Sequence, residues 1–233
     1  MLHRTCLTGA LLICAWSTWA VADDTGEVFE PFNGKDLTAW KFKGEADKSH
    51  WKVGTAEVSP ENASQLVAKE GGHDLVNLAG GGVDIYTASS IYGDIVLEIE
   101  VLVPKGSNSG IYVMGEYEVQ VLDSFGKKEV GPGDMGGLYG ASAPRVNASK
   151  APGEWQKFVI DFRAPKFNAD GQKTANAKFV KVVLNGETIH ENVEMKGPTP
   201  SGVTGKESPL GPLMFQGDHG AVAYRNIKIK PVK

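Results

Sequence analysis

The sequence predicts an all-β protein, an antiparallel two-sheet sandwich or jelly roll. Three observations lead there. Apolar and polar residues alternate with period two over several stretches, as at Ile95–Val103 and Ile111–Val121. Clusters of Gly, Pro, Asn and Ser break the chain into short segments, and no window of eleven residues after the N-terminal segment carries helical spacing. Many short strands separated by turns bury their apolar faces best as two packed sheets.

Residues 1–22 stand apart from that pattern. Arg4 precedes the apolar run LTGALLICAWSTWA, and Ala20-Val21-Ala22 forms an A-x-A site before Asp23. This is expected to be a secretory signal peptide, its run too short and interrupted for a membrane span. Cys14 after Leu11, Leu12 and Ile13 partly resembles a lipoprotein signal, which Ile13 fits poorly. Both cysteines, Cys6 and Cys14, lie in this leader. The mature chain therefore has no disulfide, thiolate metal ligand or cysteine nucleophile. About 210 residues suffice for one domain held together by its core. Removal of the leader takes away Arg4 and no acid, leaving 23 basic against 28 acidic residues, net −5. Mild acidity without a basic run argues against nucleic-acid binding.

A lead-in at 23–30 precedes a single domain expected over 31–231, with no internal repeat and no linker. Trp40 and Phe42 follow the Asn33-Gly34 turn as a first short strand. Trp51–Val53 and Gln65–Ala68 read as brief strands, and Gly71-Gly72 and Gly80–Gly82 keep the strands near Leu75–Leu78 and Ile85–Thr87 brief as well. Asp94–Pro104 is a long strand with Ile95, Leu97, Ile99, Val101 and Val103 on one face. Pro104–Ser107 hands it to the next strand, so the two are expected to pair antiparallel. Trp155–Phe162 is a strand, Lys178–His190 a hairpin about Asn185-Gly186, and Leu213–Gln216 and Val222–Ile229 close the chain.

The stretch Asn108–Ser124 carries the candidate chemistry. Ile111, Val113, Tyr117, Val119 and Val121 share one parity, Tyr112, Met114, Glu116, Glu118 and Gln120 the other, and Met114–Gly115 is a bend or a tight link between two strands. The polar row is either a solvated outer face or the floor of a site. Two Gly/Pro/Ser loops, Phe125–Gly153 and Pro198–Gly211, exceed plain connections, and long ordered loops are usually functional. Tyr139, Arg145 and the segment Gln216-Gly217-Asp218-His219-Gly220 can converge on the row. His219 beside Asp218 is an acid/base candidate or a loop histidine, and Asp123 an oxygen ligand or a turn cap. The sequence carries no Walker loop, dinucleotide fingerprint, H-E-x-x-H or G-x-S-x-G.

Alternate residues on a strand sit about 6.6 Å apart. Glycosidases separate their two carboxyl groups by about 5–5.5 Å when retaining and about 6.5–9.5 Å when inverting. Glu116 and Glu118 fit the inverting spacing if one unbroken strand carries both. Gln120 stands third in the row, where it cannot exchange a proton as a carboxyl does, which disfavours an ordinary retaining glycosidase.

FNGKDLTAWK, NSGIYV, YEVQVLDS, GGLYG, NASKAPGEWQKFVIDFRAP and GPLMFQGDHGAVAYRNIKI occur in that order across about residues 27–231. Together they resemble the bacterial secreted 3-keto-disaccharide hydrolase family. The resemblance implies a concanavalin A-like jelly roll whose concave face binds sugar, and hydrolysis of glycosides oxidised to a ketone at C3. A C3 ketone acidifies the C2 proton, so one base suffices for elimination of the glycosidic oxygen, followed by hydration. The resemblance carries over the motifs Glu118–Gln120 and Gln216–His219 by position and not their roles; for that chemistry the expected catalytic groups are Glu118 as base with Gln120 and His219 polarising or transferring protons. Glu116, Tyr139, Arg145, Asn108 and Gln216 are expected to hold the sugar. No cofactor is required, although Asp123 or Asp218 could ligate Ca²⁺. A non-catalytic carbohydrate-binding module and an ordinary β-glucanase are the alternatives. The expected partner is a carbohydrate, with no nucleic acid and no membrane span; the expected location is periplasmic or extracellular, and oligomeric state is left open.

Overall fold

The structure, a computed structural model, describes residues 27–232. The expected leader, 1–22, lies outside the described residues. The strands are β1 Trp40–Lys43, β2 Trp51–Val58, β3 Leu66–Asn77, β4 Asp84–Thr87, β5 Ile95–Leu102, β6 Asn108–Val113, β7 Tyr117–Leu122, β8 Trp155–Arg163, β9 Lys166–Phe167, β10 Lys173–Ala175, β11 Ala177–Leu184, β12 Glu187–Met195, β13 Met214–Phe215 and β14 Val222–Pro231. A 3-10 turn at Ala46–Lys48 is the only helical element among the described residues.

Two antiparallel sheets form a jelly-roll sandwich. One has the order β1-β4-β13-β6-β7 and the other β12-β11-β8-β5-β14-β3-β2, with β9 and β10 a separate ribbon. The apolar parity of each central strand faces the shared core, where Leu97, Ile99 and Val101 of β5 join Ile111, Val113, Val119 and Val121 of β6 and β7. Aromatic rings link the layers. Trp40 stacks on Phe215 at 5.4 Å, Phe215 on Tyr224 at 4.0 Å, and Trp51 on Tyr224 at 6.3 Å. Phe29 exchanges backbone hydrogen bonds with Ile229, so the sandwich engages the chain from within the lead-in.

Three local expectations meet the structure differently. The hairpin about Asn185-Gly186 forms as read, with φ of 53° and 91° at the two turn residues and β11 paired to β12. The pairing expected between the Asp94–Pro104 strand and its successor does not form. β5 pairs with β8 and β14 while β6 pairs with β7 and β13, so the Pro104–Ser107 turn crosses from one sheet to the other. Each strand buries its apolar face equally well beside or across the core, and the distant partners β8 and β14 decide. The brief strands around Gly71-Gly72 are instead one strand, β3, whose ladder with β2 shifts register between Gly54 and Thr55. Asp74 bridges the irregularity, its carboxylate accepting the Ala56 N–H at 2.9 Å.

Candidate functional site

Asn108–Ser124 is a hairpin rather than one strand. Met114 and Gly115 have φ of 55° and 70°, a left-handed pair whose twist suits a tight antiparallel link, and the Glu116 N–H donates back to Val113 O at 3.2 Å. A Cβ at Gly115 would also lie 2.9 Å from Val203 Cγ2. The resulting register sets Tyr112 opposite Glu118 and Gly110 opposite Gln120. Opposed residues share a face, so the row Tyr86, Met214, Tyr112, Glu118 crosses four strands on the side turned away from the core. Gly110 makes room in this row, because a Cβ there would sit 2.3 Å from Glu118 Oε1.

The row is buried, not solvated: Glu118 is 3% exposed and Gln120 2%. β7 is an edge strand, and the long loop after it covers that edge. Gly136 N donates to Gln120 O at 2.8 Å, Gln120 N to Gly137 O at 2.8 Å, and Tyr139 N to Glu118 O at 3.2 Å. The Glu118 N–H donates to the Thr199 hydroxyl at 3.0 Å, which ties the second loop to the same edge. Between these loops a cavity of about 100 Å³ remains over Glu118, with Asn108, Tyr112, Gln120, Gln216 and His219 in its lining and Tyr139, Pro200 and Ser201 at its walls.

Burial pushes the Glu118 carboxyl up to about 7, even though a hydrogen bond with Tyr112 and the nearby His219 favour its ionised form; Asp84 and Asp218 add to the rise. Burial, then the Glu118 charge, raises the Tyr112 phenol far above its ordinary value, so it stays a neutral donor. Gln120 Nε2 donates to Asn108 Oδ1 at 2.5 Å and to Ser109 O at 3.1 Å. Its two amide hydrogens are thus committed to the protein, and the oxygen is the group left to meet a ligand.

His219 reaches the cavity from the segment joining β13 to β14. Asn77 Nδ2 donates to Gly217 O at 2.9 Å and Gly220 O at 2.8 Å, bracketing Asp218 and His219, and the Gly217 N–H donates to Asp84 Oδ1 at 2.9 Å. Asp218 Oδ1 lies 2.5 Å from His219 Nδ1. That contact places the proton of neutral imidazole on Nδ1 and leaves Nε2 for exchange.

The structure therefore brings Asn108, Glu118, Gln120, Tyr139, Gln216 and His219 together. It places the others elsewhere. The Glu116 carboxylate accepts the Thr204 N–H and hydroxyl, both at 2.7 Å, and the Gly205 N–H at 2.9 Å. It anchors a loop and is not opposed to Glu118 across a substrate, because it lies in the turn ahead of Tyr117, where β7 begins, and its carboxylate is taken up by the 204–205 backbone. Arg145 pairs with Glu191 on β12, outside the cavity lining, so the expected sugar contact is not made there. Asp123 caps turns, accepting the N–H groups of Gly106 at 2.9 Å and Phe125 at 3.4 Å. Asp218 serves His219. Neither aspartate belongs to a group of three or more His, Cys, Asp or Glu fit to hold a metal among the described residues. Sequence reasoning left out Tyr112, although it shares Glu118's parity, and the Pro200–Ser201 wall and Asn77, which carried no local signal.

Among solved structures the chain is similar to a candidate glycosyl hydrolase from Parabacteroides distasonis ATCC 8503, at 28% identity and a TM-score of 0.67, over 88% of this chain and 84% of that one. A second candidate glycosyl hydrolase from the same organism shares 19% identity with a TM-score of 0.61, over 88% of this chain and 94% of that one, and speaks for the fold alone. No curated protein matches the chain. Fold and relatives define a glycosyl-hydrolase-like, carbohydrate-active protein of the concanavalin A-like class. Within that class the chain belongs to the 3-keto-alpha-glucoside-1,2-lyase-like domain family, which matches residues 29–230. No helix among the described residues is long and apolar enough to cross a membrane.

Proposed function

We propose that the protein cleaves 3-keto-glycosides by base-assisted elimination, and that it does so after export from the cytoplasm. Glu118 takes the proton from C2, which the C3 ketone acidifies. The C2–H electron pair becomes the C1–C2 double bond, the C1–O bond breaks, and the departing oxygen receives the Nε2 proton of the His219 imidazolium, whose Nδ1–H is held by Asp218. Water added across the double bond returns the free 3-keto sugar, and the sum is hydrolysis. Tyr112, neutral, sits beside Glu118 and favours its ionised form, and its hydroxyl donates to Pro200 O at 3.3 Å, so it orients the base against the loop wall. The Gln120 oxygen accepts a sugar hydroxyl, and Asn108 and Gln216 complete the polar lining.

The observation that carries this reading is that one carboxyl, Glu118, lines the cavity, and that its burial there pushes it up to about 7. A general base works best with a value near the operating pH. Glu116, the residue that would supply the second carboxyl of an ordinary glycosidase, is engaged by Thr204 and Gly205. Glu118→Gln tests it with a 3-keto-disaccharide as substrate. Turnover should fall by about 10²–10⁴ while the circular dichroism spectrum is unchanged. Turnover equal to the wild type removes Glu118 from the chemistry.

A further inference from the structure

The cavity over Glu118 is too small for a whole disaccharide. At about 100 Å³ it falls well below the roughly 300–1,000 Å³ typical of sites that enclose a ligand of that size. A second cleft of about 460 Å³ adjoins it, and the two share Tyr139 and Pro200 as a common wall. We propose that this cleft is the leaving-group subsite, and that it takes an uncharged second sugar ring. The proposal rests on the elimination reading for the reacting ring in the first cavity.

Three features of the cleft argue for that occupant. Tyr139 is 42% exposed although its backbone is fixed beside Glu118, so an aromatic face stands free at the junction where the scissile oxygen must lie. Such a ring offers broad apolar contact to the C–H face of a pyranose at little entropic cost. The far walls are Gly140, Ala141, Gly197 and Pro198, small residues that leave width for a ring. The charges on the lining are Glu194 and Lys196, one of each sign, which offers no net attraction to a uronate or a phosphate. Thr199 joins the two spaces mechanically: it lines the cleft, its N–H donates to Glu116 O at 2.8 Å, and its hydroxyl accepts the Glu118 N–H. Contacts to the leaving ring are therefore registered against the base, and remote binding of this kind can be spent on orienting the reacting centre.

The test compares kcat/KM for a 3-keto-disaccharide with that for methyl 3-keto-glucoside, whose leaving group is too small to enter the cleft. In the wild type the disaccharide should be preferred by at least about tenfold. In Ala141→Trp, which fills the cleft from an exposed position, and in Tyr139→Ala, that ratio should fall toward one. An unchanged ratio in both variants overturns the subsite while leaving the role of Glu118 standing. If the wild type turns over neither substrate, the elimination reading fails, and calorimetric binding of the unoxidised disaccharide then tests the cleft separately. Binding by the wild type that is weakened in both variants supports the subsite; absent or unaltered binding overturns it.

Discussion

Glu118 is raised toward 7 chiefly because burial disfavours its charge, and stability should record this as well as activity. Its folded value lies above the ordinary carboxyl value of 4.5. Between those values the folded state holds more protons than the unfolded chain, so this residue's contribution to stability declines as pH rises from 4.5 through about 7. Glu118→Gln removes that cost. At pH 8 the variant should be more stable by about 2 kcal/mol, a Tm gain of about 4–8 °C by calorimetry, with the gain vanishing near pH 4. The same ionisation predicts a kcat/KM that climbs with pH through about 7. Tyr112→Phe removes a phenol hydroxyl that favours the carboxylate, so the midpoint of that climb should move upward. A midpoint unmoved or lowered in Tyr112→Phe would exclude Tyr112 as the group that orients the base.

The β6–β7 hairpin does two jobs with one turn. Its register sets Tyr112 against Glu118, and its first residue after the left-handed pair, Glu116, reaches outward to the 199–205 loop. That loop supplies Pro200 and Ser201 to the cavity wall, and Lys43 Nζ fixes it further by donating to Ser201 O at 2.6 Å. Glu116→Ala should leave the Thr204 and Gly205 N–H groups without their carboxylate. We expect a loss of about 2–4 kcal/mol in chemical denaturation, together with a raised KM, because the wall over Glu118 loses its anchor. A variant with wild-type stability and KM would show that the loop is held by Lys43 and Thr199 alone.

Across the whole sandwich, the site depends on a join between its layers. β13 belongs to the smaller sheet and β14 to the larger, and the segment between them carries His219. Asn77, at the end of β3 in the larger sheet, clamps that segment through Gly217 O and Gly220 O. Asn77→Ala strands two buried carbonyls at about 1–3 kcal/mol each. Denaturant titration should show the loss, and kcat/KM should fall by about tenfold as His219 loses its placement. A variant destabilised but fully active would show that the clamp serves the fold and not the site.

Much of this was legible in the residues taken in order. Period-two alternation marks β5, β7 and β8, Asn185-Gly186 marks its hairpin, and Glu118, Gln120 and His219 could be selected because a polar row and an Asp-His pair are local patterns. Local chemistry fixes which way a side chain points along its own strand, and little more. What lies opposite is a non-local matter. Only the folded arrangement leaves Glu116 in the turn ahead of β7 with its carboxylate on the 204–205 loop, sends Arg145 to Glu191, sets β5 and β6 in different sheets, and covers the polar row with two loops. That covering strips water from Glu118, and the desolvation it causes turns an ordinary strand carboxylate into a group poised at about 7.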